Sequence, residues 1–426
     1  MSAVLLFGIF FALLFLNVPI AMSLGVSSII TTMAVKPAMM STIAANLYSS
    51  TNTYVLLAIP FFILAGNIMD VSGISVRLIN FFNSLVGHTK HGTAMVCVIV
   101  ACFFAAISGS GPATVAALGG ILIPAMSKSG YEKDTSAALM STAGAIGIVI
   151  PPSITFVVYG SVTGTSVGDL FMAGIIPGIL IGVAIYFTMV ISSRGCNLVR
   201  QPKASGKARW KAFGDAVWGI LMPVIILGGI FSGIFSITEA SGVAVVYSAI
   251  IAFFVNRSVK LKDIPDMIIE AASTSGLVLI LAGAGTAMAW GIANERVMSL
   301  LIEPLSQMPQ WGFLLLVNVL LLVCGMFMDD YASTVILAPI IAPIAWAIGI
   351  NPLHIGLVFC INLVVGLATP PFGVTLFVTS PIAGVRIEET AKEALPFLIT
   401  TIAILLLVTF VPDLALWLPE SMGYLS

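Results

Sequence analysis

One constant offset, the 219 residues that separate Pro124 from Pro343, lays the second half of this chain on the first without a gap. Under it Ala65 meets Ala284, Gly66 meets Gly285, Met69 meets Met288, Arg77 meets Arg296, Gly147 meets Gly366 and Ser161 meets Ser380. Of the five prolines between residues 65 and 180, four (Pro124, Pro151, Pro152 and Pro177) fall on Pro343, Pro370, Pro371 and Pro396. Shared hydrophobicity would match Leu with Ile. It would not match prolines and glycines, which mark special backbone positions rather than apolar surface. The chain is therefore read as one unit written twice.

The unit is built for lipid. Of the 426 residues 59% are hydrophobic and 8% are charged, and apolar runs such as Val4 to Leu16, Tyr54 to Met69 and Ile399 to Val411 recur along the whole length. That composition excludes an ordinary soluble domain and predicts an all-α polytopic membrane protein with about nine crossings and two re-entrant hairpins. The first run has no Lys or Arg before it and no small-residue cleavage site ahead of a soluble body, so it is read as a retained span. Cys97, Cys102, Cys196, Cys324 and Cys360 are scattered without CxxC spacing, which supports neither disulfides nor a metal centre. No basic cluster is interleaved with aromatics as nucleic-acid binding requires.

The predicted order is a scaffold over 1–64, with spans at 3–35 and 54–70, and a first repeat over 65–193. That repeat holds an amphipathic arm (73–88), a hairpin (91–126), a broken span (134–163) and a further span (168–193). Residues 194–269 are a linker and connecting spans at 215–237 and 239–255. The second repeat, 270–417, follows the same order: span 270–292, arm 294–308, hairpin 311–345, broken span 354–383 and last span 395–417, with a tail over 418–426. Along this path all but Lys36 and Arg296 of the 17 Lys and Arg gather on one side. Basic residues are retained in the cytoplasm, so the linker 194–214 and the N-terminus are predicted cytoplasmic and the C-terminus periplasmic. An odd number of crossings then separates equivalent segments, which gives the halves opposite orientation, the construction behind many alternating-access carriers.

The chemistry sits where the helices are interrupted. The first hairpin turns at Ser108, Gly109, Ser110, Gly111 and Pro112, and the first broken span carries Gly144, Gly147, Pro151, Pro152, Ser153 and Thr155. Such residues free backbone groups at membrane depth, which is tolerated only inside protein or beside a watery cavity. The second half answers with Asp329, Asp330, Tyr331, Ala332, Ser333 and Thr334 at its tip, and Gly366, Thr369, Pro370, Pro371, Gly373 and Thr375 at its break. Freed carbonyls and hydroxyls suit a hard cation, and half-helix N-termini suit a carboxylate. Gly111, Ser153, Thr155, Ser333, Thr334 and Thr375 are the candidate substrate contacts. Sodium is preferred to protons because the first tip and break hold no titratable side chain; a proton-coupled carrier of the same fold and an ion channel are the alternatives. An intramembrane serine hydrolase is set aside, since Ser110 has no base and its repeat equivalent is Asp329.

The phrases SGSGPATVAALGGILIP, GAIGIVIPPSITFVVYG, SVGDLFMAGIIPG, MDDYASTVILAPIIAP and GLATPPFGVTLFV, with LAIPFFILAGNIM before them, resemble the large membrane subunit of tripartite ATP-independent periplasmic (TRAP) transporters, over nearly the whole chain. The resemblance implies an elevator-type sodium symporter of the bacterial inner membrane, and not an enzyme. It implies import of a small organic carboxylate, such as a C4-dicarboxylate or sialic acid, delivered by a periplasmic binding protein, with a small four-helix membrane subunit supplied as a separate chain. No resident cofactor is implied, only sodium as coupling ion. Carried over residue by residue, the cation positions are Ser108, Ser110, Gly147 and Pro151 in the first half, and Asp329, Gly366, Thr369 and Pro370 in the second.

Overall fold

The computed structural model describes residues 2–294, 305 and 307–423, with side chains from residue 4 to 292, at 305 and from 307 to 423. The chain is all-helical there. The N-terminal helices are α1 (Ser2–Phe15), α2 (Ile20–Val35), α3 (Met40–Thr51) and α4 (Ala58–Val71), followed by the amphipathic α5 (Ile74–Val86). The first hairpin pair is α6 (Gly92–Ser108) and α7 (Gly111–Lys128); α8 (Lys133–Gly147) and α9 (Ile154–Thr163) form a broken helix; α10 is Val167–Ser192. Then come α11 (Gly206–Phe231), α12 (Ile237–Ile250) and α13 (Ile264–Asn294). The second copy is α14 (Gln310–Phe327), α15 (Asp330–Ala347), α16 (Pro352–Leu367), α17 (Val374–Ala383) and α18 (Ile387–Phe410), and α19 (Asp413–Ser421) closes the chain.

Shifting α6 to α10 by the repeat offset reproduces the bounds of α14 to α18 to within about a residue. Local sequence fixes those bounds. Ser110 caps α7 by accepting from the Ala113 amide, Asn351 caps α16 by accepting from the Leu353 amide at 2.8 Å, and Asp329 caps α15. Gly109 ends α6 at φ 65°, a left-handed conformation that only glycine adopts cheaply. Pro151–Pro152 and Pro370–Pro371 are both cis.

Membrane thickness separates the helices into two kinds. Among the described residues eight helical stretches are long and apolar enough to cross a bilayer, from Tyr54–Val71 to Ile387–Phe410. The half-helices α8 and α16 are different: every residue from Ser136 to Gly147 and from Leu353 to Leu367 is buried. A helix apolar on all sides belongs at the centre, and these two are the core of the molecule. Around them the halves interlock, since α9 packs on α15 and α16 while α17 packs on α7 and α8. Backbones meet closely there. A Cβ on Gly366 would lie 2.5 Å from the Gly325 backbone, so α14 and α16 cross at a contact only glycines permit.

Three expectations need correction or delimitation. The single span expected over 3–35 is two helices that turn at Asn17 (φ 61°) and Pro19 and pack on each other. Each is shorter than a crossing, which removes the step on which the cytoplasmic N-terminus rested. The last span begins earlier than expected, at Ile387, and stops at Phe410, where Pro412 ends the helix before α19. The arm expected over 294–308 falls almost entirely outside the described residues.

Candidate functional site

The first hairpin tip is a knot of neutral oxygens. Ser108 Oγ and Thr114 Oγ1 lie 2.9 Å apart, Thr114 Oγ1 donates to the Ser110 carbonyl at 2.8 Å, and Ser108 Oγ reaches the same carbonyl at 3.2 Å. Both Ser108 and Thr114 are buried. The tip seats on the broken helix. A Cβ added to Gly109 would come 2.9 Å from the Ile154 side chain, and one added to Gly111 would come 3.1 Å from Ala145 Cα. The segment from Ile148 to Ser153 between α8 and α9 is thus covered by residues 109–111. Gly147 lies against Ala101 and Ala105 of α6, the two turns below Ser108.

The second tip carries two carboxyl groups. Asp329 Oδ2 accepts from the Tyr331 amide at 3.2 Å, and Thr334 Oγ1 donates to the Asp330 carbonyl at 2.6 Å. Its broken helix is tied up locally: Thr369 Oγ1 donates to the Val365 carbonyl at 2.7 Å, and the rings of Phe327 and Phe372 stand 5.8 Å apart across tip and break.

The halves meet through these elements. Thr155 Oγ1, at the N-terminus of α9, donates to Asp330 Oδ2 at 2.5 Å, and Asp330 is 2% exposed. Ser153 and Ser333 flank this junction on the two elements it joins, and both hydroxyls are buried without a partner. A buried hydroxyl left unpaired costs about 1–3 kcal/mol. Gly111, Ser153, Thr155, Ser333 and Thr334 therefore share one neighbourhood. Thr375 is turned elsewhere, donating to the Leu367 carbonyl at 2.8 Å and accepting from Ser141 at 2.9 Å.

Sequence reasoning left out Thr114 and Ser141, and named Asp330 and Tyr331 at the second tip without placing them among the ligands. Thr114 was visible in the repeat, because its counterpart is Ser333. A buried cluster of Asn318, Asn362 and Thr409 had no such signal, since its counterparts are Ile99, Ala143 and Val190. There Asn362 Nδ2 donates to Asn318 Oδ1 at 3.0 Å and Asn318 Nδ2 donates to Thr409 at 3.3 Å. At the edge of the first hairpin, His91 Nδ1 lies 3.1 Å from Ser193 Oγ and 3.3 Å from the Tyr131 hydroxyl. Burial and the neighbouring Lys90 push its pKa below the usual histidine value.

An all-helical chain with many apolar spans, two interlocked broken helices and polar tips at the centre defines a multi-pass membrane protein of transporter fold. The crystal structure of the YdaH transporter from Alcanivorax borkumensis has the same fold, with a TM-score of 0.62 over 90% of this chain and 89% of that one at 15% identity. The family model of the tripartite ATP-independent periplasmic transporter DctM component matches residues 7–414, and the chain belongs to that family. It is 41% identical to a C4-dicarboxylate TRAP transporter large permease protein from Pseudomonas aeruginosa over 94% of each chain. It is 33% identical to a sialic acid TRAP transporter large permease protein from Vibrio cholerae over 97% of each. The chain is thus a DctM component, the large permease subunit of a TRAP transporter.

Proposed function

We propose that this subunit couples the inward movement of a small organic carboxylate to sodium, with the cation held where the hairpin tips meet the broken helices. The observation that carries the reading is the difference between the two tips. Ser108, Ser110 and Thr114 offer only neutral oxygens, which bind a hard cation but have no proton to relay. Asp329 and Asp330 place two consecutive carboxyl groups at the second tip, and Asp330 makes no ion pair among the described residues. Gly147, Pro151, Gly366, Thr369 and Pro370 supply backbone and hydroxyl oxygen beside these tips. Ser153 and Ser333, with Thr155 between them and Asp330, are the hydroxyls left for the substrate.

The hairpins α6–α7 and α14–α15, inserted from opposite sides, move with the broken helices against a scaffold of the other spans, carrying the site across as an elevator does. The linker 194–214 faces the cytoplasm and the C-terminus the periplasm, by the distribution of basic residues. A separate small four-helix subunit and a periplasmic binding protein complete the assembly. A C4-dicarboxylate is favoured over sialic acid as cargo because the relative named for the former has the higher identity, 41% against 33%.

The test is uptake into proteoliposomes holding this chain, its small subunit and the binding protein, with labelled succinate and labelled sialic acid offered in turn. Accumulation should require an inward sodium gradient and saturate with acid. Accumulation driven by a proton gradient in sodium-free buffer would move the coupling ion to the Asp329–Asp330 pair. In the same assay Ser108→Ala with Ser110→Ala should raise the sodium concentration for half-maximal uptake at least tenfold, and an unchanged value removes them from the site.

A further inference from the structure

The amphipathic helix α5 and the first turns of α11 pack side by side and leave between them an open trough of about 450 Å³, lined by Phe81, Leu85, Gly206, Arg209, Trp210 and Phe213. Its walls are aromatic and aliphatic. The rings of Phe81 and Phe213 stand 5.6 Å apart and those of Phe213 and Trp210 stand 5.8 Å apart, while Trp210 is 75% exposed at the lip. Within this apolar lining Arg209 is the one charged group, and its Nε is shielded from solvent with no acceptor. A shielded guanidinium donor without a partner is costly, and it points to an anion that fills the place.

The surroundings share that sign. No acidic residue occurs from Gly195 to Gly214, whereas Arg200, Lys203, Lys207, Arg209 and Lys211 do. The chain around Gln201 is pinned to α5, since Asn83 donates to Gln201 Oε1 at 2.7 Å and the Gln201 amide donates to the Gly87 carbonyl at 3.4 Å. That contact brings Arg200 and Lys203 beside the end of α5 that carries Leu85. None of these cations makes an ion pair among the described residues. Trp210 and Phe213 also mark the level at which α11 enters the bilayer, where aromatic side chains collect.

We propose that the α5–α11 trough holds an anionic phospholipid, its acyl chain lying against Phe81, Leu85 and Phe213 and its phosphate on Arg209. Apolar walls take the chain, the fork of the guanidinium matches phosphate, and the excess of unpaired cations selects a lipid with net negative charge over a zwitterionic one. The lipid bridges α5 and the start of α11, and so sets the depth at which the linker rests on the membrane.

Titration of phosphatidylglycerol and phosphatidylcholine onto the complex of this chain with its small subunit, followed by native mass spectrometry, tests the assignment. The complex should prefer phosphatidylglycerol, and Arg209→Gln should weaken that lipid about fivefold, as one charge near an anionic headgroup is worth. Arg209→Lys should fall between. Trp210→Ala with Phe213→Ala should weaken both lipids, and Lys260→Gln with Lys262→Gln, on a different loop, should change neither. Glycerol phosphate should not displace the lipid; displacement would mean a phosphate site without a lipid. The proposal fails if Arg209→Gln binds phosphatidylglycerol as the unaltered complex does, or if the Lys260 and Lys262 change costs as much. It also fails if benzophenone introduced at position 210 crosslinks to the small subunit rather than to lipid.

Discussion

Removing the hydroxyl of Thr155 while keeping its shape, as Thr155→Val, asks what joins the two halves at the centre. The bond to Asp330 is buried, since Asp330 is 2% exposed and Thr155 is fully enclosed. Hydrogen bonds between helices inside membranes average about 0.6 kcal/mol. A bond to a charged acceptor is worth about 1.5–3 kcal/mol. The size of the coupling therefore reports the state of the carboxyl group as well as the existence of the bond. The measurement is a double-mutant cycle of Thr155→Val and Asp330→Ala, read as unfolding free energy in bicelles with saturating sodium. If Asp330 is ionised beside a bound cation, the coupling should be about 1.5 kcal/mol or more, and it should shrink toward about 0.6 kcal/mol when potassium replaces sodium. Additive single effects, within the roughly 0.5 kcal/mol that unrelated sites show, would falsify the claim that this bond ties the halves together.

Other expectations follow from particular contacts. Gly366→Ala puts a methyl 2.5 Å from the Gly325 backbone and should lower stability by about 1–3 kcal/mol, whereas Gly120→Ala, with nothing within 4 Å of its Cβ, should be neutral or stabilising; the two midpoints of thermal unfolding decide. His91 has a folded pKa depressed below 6.5, so its contribution is complete above that value and is lost as pH falls through it. Stability measured from pH 8 to pH 5 should decline less in His91→Asn than in the unaltered chain. Asn362→Leu removes the shorter of two bonds to Asn318 Oδ1, leaving Thr409 at 3.4 Å, and should cost about 1 kcal/mol; equal stability would mean that Thr409 alone satisfies the carbonyl.

How much of this was legible in the sequence varied with the kind of signal. Proline and glycine at matching positions located the tips and breaks because those residues dictate backbone wherever they stand: Gly109 takes the left-handed turn that ends α6, and Pro151–Pro152 lies in the gap between α8 and α9. The N-terminal region misled for the same reason in reverse. A single Asn17 at positive φ beside Pro19 folds one apolar run into two helices, and nothing in hydrophobicity records that reversal. Partners across the repeat were also hidden. The offset that aligns the halves says which residues are equivalent and not which ones touch, and Thr155 touches Asp330 rather than its own counterpart, Val374.

That crossing of equivalence explains why the two tips diverged. Under exact symmetry each α9-like helix would meet the other hairpin through the same pair of residues. Instead Thr155 meets Asp330, while the matching positions are Val374 and Gly111, which form no such bond because neither side chain has a polar atom. In their place Ser141 reaches Thr375, and the tip at Ser108, Ser110 and Thr114 bonds within itself. One junction therefore joins the halves through a carboxyl group and a hydroxyl, and the other through hydroxyls alone. A cation that binds only the neutral tip changes nothing at the junction, whereas one that binds beside Asp330 competes with or reinforces the Thr155 bond. Coupling between ion and movement must then run mainly through the second tip, so Asp330→Asn should abolish the dependence of uptake on sodium concentration more completely than Ser108→Ala does. Equal losses from the two changes in the same proteoliposomes would show that the halves contribute alike.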